Sequence, residues 1–275
     1  GSIDVRTVSS SVLASGSENE RVFSWIINNP YEADIGAKGA TNIDQFKLPL
    51  VDTGEYDFYI YWGDGSSNKI TSYNDPNITH TYDTTGEKTI TIYGKIKGWS
   101  FNNEGDRLKY VDTLDWSALD ITGPGAFYGC ENYTGAYSLV NNINTPYIST
   151  TDLSDTFAQC TQFNGAVDNW NISGVLNLSR FFTHCFNFNQ PIDSWDVSSV
   201  TSMYRLFMYN TRFNQPLQWD VRNVVNMAQL LDNARSFNQP LDQWEPYSLA
   251  GPQQGMFSNA FIFNQDLNTW SQWIS

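Results

Sequence analysis

The chain has 275 residues, of which 40% are hydrophobic, 15% aromatic and only 16% charged, and its formal net charge is −14. This acidic balance disfavours binding to nucleic acid and to anionic lipid, because both need clustered basic residues. The three cysteines are an odd number, which excludes a framework with every cysteine paired inside the chain. No apolar run approaches the roughly 18 residues of a membrane-spanning helix, so we predict no direct membrane insertion.

The N-terminal segment, residues 1–20, has the composition of a connector. It includes Ser9, Ser10, Ser11 and Gly16, and we predict a linker or the remnant of a stalk. A stalk can also hold several copies of a chain together, so a homo-oligomer is one of the assemblies that the sequence allows.

Residues 21–98 have the pattern of a β domain. Apolar and polar residues alternate from Tyr56 to Trp62, as in a strand with one buried face. The following segment, 63–67, contains two glycines and an aspartate, which favour a turn. Val22–Ile27 and Lys88–Tyr93 are further strand candidates. Short strands separated by turns indicate a β-sandwich.

Two pieces of this region resemble the signature of PKD-type immunoglobulin-like domains. They are Trp62-Gly63-Asp64-Gly65 and His80-Thr81-Tyr82, the latter followed by Gly86 and Thr89-Ile90-Thr91-Ile92. The resemblance implies an immunoglobulin-like sandwich over residues 21–98 that acts as a spacer or interaction module, with a junction at 99–108. Asp64 could stabilise its turn or ligate calcium. We favour the turn, because calcium takes roughly 6–8 oxygens and this turn offers one carboxylate.

The C-terminal half repeats the string Phe-Asn-(Gln/Gly)-x-apolar-x-x-Trp, shortened by one residue in a single copy. The copies start 24–26 residues apart, and a degenerate copy at Tyr133 precedes the first full one by 30 residues. Repeats of this length indicate units that bury a shared core by stacking on one another. The full copies begin at Phe163, Phe188, Phe213, Phe237 and Phe263.

A second pattern follows the Trp of each copy. Apolar residues recur there with spacings of three, three, three and one, which predicts a short helix. Each unit is therefore expected to be an extended segment followed by a short helix, and about six units are predicted over residues 109–275. In one copy the apolar residues are Val197, Val200, Met203, Leu206 and Phe207.

Residues at the same position in successive units should form columns. Asparagine amides can hydrogen-bond the backbone of a neighbouring unit, and tryptophans in phase with the apolar residues should pack in the core. Cys130, Cys160 and Cys185 share one small-residue position, which favours buried free thiols over metal ligands. The predicted structural columns are Asn164, Asn189, Asn214, Asn238 and Asn264, and Trp170, Trp195, Trp219, Trp244 and Trp270.

The units, of the form Phe-Asn-Gln-Pro-Leu-x-x-Trp-Asp-Val-Ser-x-Val-x-x-Met, resemble the ~26-residue repeats of bacterial surface proteins related to BspA-like leucine-rich repeats. The resemblance covers about residues 105–275. It implies a right-handed leucine-rich-repeat-like α/β solenoid, with its strand in the Phe-Asn-Gln-Pro segment and its outer helix at 200–207. The expected fold class is thus multidomain, an all-β sandwich followed by this solenoid. It also implies a cell-surface or extracellular location.

The sequence shows little that points to catalysis. His80 and His184 are the only histidines, and no nucleophile elbow, phosphate-binding loop or zinc-protease motif occurs. We predict no enzyme activity, no cofactor and no metal site.

Repeat surfaces usually bind partners, so recognition is assigned to positions that vary between units. These are Asp168, Asp193, Ser194, Gln218, Asp242, Gln243, Asn268, Tyr204, Arg205, Tyr209 and Arg212.

The expected function is that of an adhesin-like recognition protein at the cell surface or outside the cell. Its partner would be a protein or a glycan on another cell or on the matrix. Two alternatives stay open. A carbohydrate-binding module is favoured if a row of aromatic side chains is exposed, and a structural or tip element of a surface fibre is favoured if the chain assembles into defined oligomers.

Overall fold

The computed structural model describes residues 21–29 and 38–272, so the predicted linker at 1–20 lies outside the described residues. Within these residues the only α-helix is α1 (Tyr137–Val140), and short 3₁₀ turns lie at Pro76–Ile78, Arg107–Lys109 and Asn268–Gln272. The strands are β1 (Val22–Asn29), β2 (Gln45–Lys47), β3 (Glu55–Tyr61), β4 (Ser67–Ile70), β5 (Thr79–Thr81), β6 (Gly86–Lys97), β7 (Tyr110–Asp115), β8 (Leu119–Ile121) and β9 (Tyr147–Ile148).

Strands β1, β3, β4, β6 and β7 form an antiparallel sheet in the order β4-β3-β6-β1-β7. The alternation in β3 buries Tyr56, Phe58 and Ile60 and exposes the residues between them. The strands predicted near residues 22–27, 56–62 and 88–93 are confirmed, and so is the turn that joins β3 to β4. Sequence alternation succeeded here because only one face of each strand enters the core.

The predicted immunoglobulin-like sandwich of the PKD type is wrong. Most strands form one seven-stranded sheet, and only β2 and β5 form a separate pair. That sheet continues beyond residue 98, because β7 pairs with β1 and β8 adds to β6 in parallel. Strand β9 then adds to β8, also in parallel. The N-terminal strands therefore belong to a sheet that extends into the segment preceding the repeats.

The predicted leucine-rich-repeat solenoid is also wrong. No α-helix lies between residues 141 and 272, and neighbouring repeats are joined by single parallel bridges instead of a continuous sheet. In the stretch expected as a helix at 200–207, Ser202 instead forms isolated parallel bridges, and a succession of turns runs from Tyr204 to Tyr209. Arg205 and Tyr209 have φ of 56° and 59°, values that interrupt a right-handed helix. The regular structure of the chain is predominantly antiparallel β-sheet.

Each repeat instead contains a six-residue run of turns, which we call the turn arc. The backbone N–H of every second residue in an arc donates to a carbonyl of the next repeat. Phe157 donates to Phe181 over 3.0 Å, and Phe182 donates to Leu206 over 3.1 Å. Contacts of this kind join nearest neighbours only. The arcs of the complete repeats are 154–159, 179–184, 204–209, 228–233 and 254–259.

Aromatic columns fill the space enclosed by the repeats. The rings of Phe163, Phe188 and Phe213 stack about 6 Å apart with nearly parallel planes. Cys160 and Cys185 are buried and free, and each thiol lies against a carbonyl of the preceding repeat, Phe127 and Phe157 respectively. The third cysteine, Cys130, is buried and free as well. One continuous apolar core runs from the sheet through the repeats.

Candidate interaction surface

Two positions in each turn arc hold residues in the left-handed backbone conformation. In the outer repeats these positions include Gly125, Gly129 and Gly255, which adopt a positive φ without a Cβ clash. The middle repeats carry larger side chains at the same two positions. We call these eight residues the turn face: Asp155, Arg180, Arg205 and Gln229 at the first position, and Gln159, His184, Tyr209 and Asn233 at the second.

The left-handed conformation costs a residue with a Cβ about 1–2 kcal/mol. Asparagine and aspartate offset part of this by local hydrogen bonds, but arginine and tyrosine do not. Arg180, Arg205, His184 and Tyr209 therefore occupy positions where glycine would be less strained. The architecture demands the backbone conformation, since every repeat has it, but it does not demand these side chains.

The first position of the turn face forms polar pairs between repeats. Arg180 donates two hydrogen bonds to the carboxylate of Asp155, of 2.8 and 2.9 Å. These bonds to Asp155 raise the pKa of Arg180. Arg205 donates to Gln229 over 2.7 Å, and its guanidinium lies 4.8 Å from the ring centre of Tyr204. The two arginines share one position of the turn face but differ, because only Arg180 forms an ion pair with a carboxylate.

The second position forms an aromatic cluster. The imidazole of His184 stacks on the ring of Tyr209 with centres 4.8 Å apart, and it contacts Phe186 edge-on at 6.0 Å. Burial and the neighbouring charge of Arg205 lower the pKa of His184. Phe186 is 38% exposed. The cluster is thus a half-exposed aromatic surface next to a cation.

Two more arginines follow turn arcs in the chain, Arg212 after the arc 204–209 and Arg235 after the arc 228–233, and both are exposed. Arg235 lies 5.6 Å from the ring centre of Phe261, which is 71% exposed. Within residues 21–29 and 38–272, no carboxylate forms an ion pair with Arg205, Arg212 or Arg235. An acidic protein therefore presents three arginines without carboxylate partners among the described residues, two of which lie beside aromatic rings, Arg205 at Tyr204 and Arg235 at Phe261.

Sequence reasoning named Tyr204, Arg205, Tyr209 and Arg212 as contact candidates, and the structure brings the first three together on or beside the turn face. Sequence reasoning did not identify His184 and Phe186, or Arg235 and Phe261, as members of this surface. One signal in the sequence could have located this surface. Gly125, Gly129 and Gly255 align with the turn-face residues of the other repeats, and glycine marks positions where the backbone adopts the left-handed conformation.

The other predicted contact residues lie on the Phe-to-Trp segments, and several of them link neighbouring repeats. The carboxylate of Asp193 accepts from the backbone N–H of Gln218. Ser194 donates to the carbonyl of Asp168, and Gln243 donates to the carbonyl of Leu217. The side chains of Asp193, Ser194 and Gln243 are thus bonded within the protein, whereas Asp168 and Gln218 take part through their backbone. The remaining two, Asp242 and Asn268, are exposed.

The residues predicted as structural columns lie in two ladders. The backbone N–H of Asn189 donates to the side-chain oxygen of Asn164 over 2.8 Å, and the same bond recurs from Asn214, Asn238 and Asn264 to the preceding asparagine. The indole N–H of Trp195 donates to the carbonyl of Val167, and the pattern continues at Trp219, Trp244 and Trp270. Trp170 is buried in the same column, without such a bond.

The turn at Asp64 is built around a histidine. Asp64 lies 2.7 Å from Nε2 of His80, whose ring stacks on Trp62 at 4.7 Å. Burial disfavours the ionised form of Asp64, but hydrogen bonds from Ser66 and His80 outweigh it and lower its pKa to about 2. Within the described ranges, no group of three or more histidine, cysteine or acidic side chains could hold a metal ion.

The comparisons with known proteins place the repeats in a family. A family described as "Mycoplasma protein of unknown function, DUF285" matches residues 126–218 and 151–270, which together exceed half of the chain. The chain belongs to this family. The expected membership of the BspA-like leucine-rich-repeat relatives is therefore replaced by this assignment. The comparisons with curated proteins and with solved structures found no match. In the part of the chain that the structure describes, no helix combines the length and hydropathy needed to cross a membrane.

Proposed function

We propose that this DUF285 family member is a non-catalytic recognition protein that binds a protein partner through the turn face. The observation that carries the proposal is the presence of Arg205 and Tyr209 at left-handed positions. Other repeats place Gly125 or Gly255 at the position of Arg205, and Gly129 or Asn259 at the position of Tyr209, so the backbone geometry is available without the arginine and tyrosine side chains. Side chains kept at a cost to the backbone are a reason to infer a function for them.

The chemistry of the surface suits a protein partner. Tyrosine and arginine are enriched among the residues that dominate protein–protein binding. The neighbouring aromatic rings offer area that loses water on binding, and the arginines that form no ion pair with a carboxylate of the described residues offer specificity for carboxylates of a partner. The expected partner surface therefore has acidic residues around an apolar centre.

A location at the cell surface or outside the cell is part of this proposal. Low charge and many uncharged polar residues are common in secreted β proteins, and this chain has 16% charged residues. The three thiols are buried, so the described residues expose no cysteine that an oxidising extracellular environment could oxidise.

The proposal can be tested with surface-immobilised matrix glycoproteins and with cultured cells. The test variant is Arg205→Gln combined with Tyr209→Asn, because Gln229 and Asn233 occupy the same positions one repeat further on. The control is Asp242→Asn, on the exposed Phe-to-Trp side. We expect saturable binding by the parent chain and the control, and at least about a tenfold loss in the double variant. Equal binding by both variants, or no binding by the parent, would count against the proposal.

A further inference from the structure

The column of tryptophans changes character at its N-terminal end. Trp195, Trp219 and Trp244 stack 6.4 Å apart with planes within 7° of parallel, and each indole N–H is bonded to a carbonyl of the preceding repeat. Trp170 instead meets Trp116 edge-on, with centres 5.1 Å apart at 86°. The indole N–H groups of Trp170 and Trp116 are both buried and have no partner in the described part of the chain.

The length of the preceding repeat explains the missing acceptor. That repeat has 30 residues instead of 24–26, and the additional residues form α1 and the loop at 141–146. Ser138 in α1 accepts the backbone N–H of Ala166 through its side chain. No carbonyl in this segment accepts the indole N–H of Trp170. The regular ladder is thus interrupted at one place, next to the two unpaired indoles.

A cavity of about 30 Å³ lies at this interruption, between both tryptophans and the loop. Its lining adds Asp168, Asn169, Asn142 and Thr145. The side chains of these four residues form no hydrogen bond with any described residue, in contrast to Asp193, whose carboxylate is bonded to Gln218. A buried N–H without an acceptor costs free energy. The cavity therefore combines two buried donors with unused acceptors and amides.

The helix beside the cavity exposes apolar side chains. In α1, Leu139 is 46% exposed and Val140 is 84% exposed, and Tyr137 at its start is 38% exposed. Neighbouring exposed apolar residues commonly mark a contact site. A ligand with hydroxyl groups on its edge and C–H groups on its face would complement both the cavity and this helix.

We propose that this cavity and α1 form a binding site for a neutral carbohydrate. One sugar hydroxyl enters the cavity, accepts from an indole N–H and donates to the carboxylate of Asp168. The sugar ring lies at the mouth, between Asn142 and Asn169, with its C–H face toward α1. A volume of about 30 Å³ admits one hydroxyl group, or one water molecule in the unliganded protein. This site does not depend on the turn face.

The test uses the full chain, a printed array of neutral mono- and oligosaccharides, and saturation-transfer NMR on the sugars that bind. The variant is Asp168→Asn, and its matched control is Asp193→Asn, at the same position of the next repeat. A second pair compares Trp170→Phe with Trp219→Phe, because only Trp219 already has a carbonyl partner, on Ile192.

We expect the parent chain to bind at least one class of neutral sugar. Asp168→Asn and Trp170→Phe should each weaken that binding about tenfold, and the two controls should change it less than twofold. No sugar binding by the parent, or equal effects of Asp168→Asn and Asp193→Asn, would show that the cavity holds only ordered water. If the turn-face variant loses matrix binding but keeps sugar binding, the carbohydrate site is supported independently, because the two surfaces are tested by different variants.

Discussion

The N-terminal sheet and the repeats are stabilised in different ways. In the sheet, the stabilising contacts are individual hydrogen bonds between residues far apart in sequence, such as those that Lys109 and Asp106 form with the segment at 41–47. In the repeats, the same hydrogen bond recurs at every step, as in the asparagine ladder. Loss of one contact should therefore damage the sheet globally and the repeats locally. The difference also separates positions that the architecture requires from positions that are free to serve recognition.

The largest expected effect concerns the buried ion pair of the sheet. Lys109 and Asp106 lie 3.2 Å apart with side chains 2% and 0% exposed. Lys109 donates to the carbonyls of Asn42 and Gln45, and Asp106 accepts from the backbone N–H of Lys47. Asp106→Asn leaves a buried ammonium without its counter-charge, which should cost about 3–5 kcal/mol of unfolding free energy.

Urea unfolding measures this loss for Asp106→Asn. The control is Glu104→Gln, which removes the exposed pair with Lys38 and should leave the midpoint unchanged. If both variants unfold at the midpoint of the parent chain, the buried pair does not fasten the sheet to the segment at 41–47.

The next effect concerns the asparagine ladder. In Asn189→Ala, the backbone N–H of Asn214 and the amide of Gln215 lose their shared acceptor, which should cost about 0.5–1.5 kcal/mol because water can reach these groups. The control is Asn264→Ala, because the side chain of Asn264 accepts no hydrogen bond from a described residue. Hydrogen exchange should show faster exchange at Asn214 in the first variant only. Equal stability of the two variants would mean that the ladder contributes little.

A smaller effect concerns acid stability at Asp64. Its pKa in the fold is about 2, below the ordinary 3.8, so the unfolded chain binds more protons between these values. Stability should therefore fall as pH decreases from about 4 to about 2, by about 1 kcal/mol after allowance for solvent screening. In Asp64→Asn this part of the pH dependence should disappear from thermal unfolding curves. A variant that keeps the parent slope would contradict the assignment.

The smallest expected effect concerns His184. Because burial and Arg205 lower its pKa, the folded state disfavours the protonated ring. The His184 contribution to stability should be complete above the ordinary pKa of about 6.5 and should decrease as pH falls through the lowered value. His184→Asn should remove this dependence, and asparagine suits the left-handed position, as at Asn233. An unchanged pH profile in thermal unfolding would contradict this.

Sequence reasoning succeeded where one residue pattern has one structural solution. Alternation from Tyr56 to Trp62 predicted a strand, and the repeating Phe-to-Trp string predicted units in register. It failed at 200–207, because apolar residues three apart suit a helix and equally a run of turns that buries Met203 and Leu206. The positive φ of Arg205 could not be predicted from its own repeat, because arginine is not a residue that indicates a left-handed backbone. The cavity could not be predicted either, because it depends on how the additional residues of the 30-residue repeat pack against the following repeat.

The central claim is that Arg205 and Tyr209 are retained for recognition at a cost to the backbone. The most direct test measures unfolding free energy and matrix-glycoprotein binding on one variant, Arg205→Gly with Tyr209→Gly. Relief of the left-handed strain should match or exceed the entropic cost of glycine, about 0.5–1 kcal/mol per site. The account predicts unchanged or higher stability together with lost binding. A variant that loses more than about 1 kcal/mol per site and still binds would contradict it.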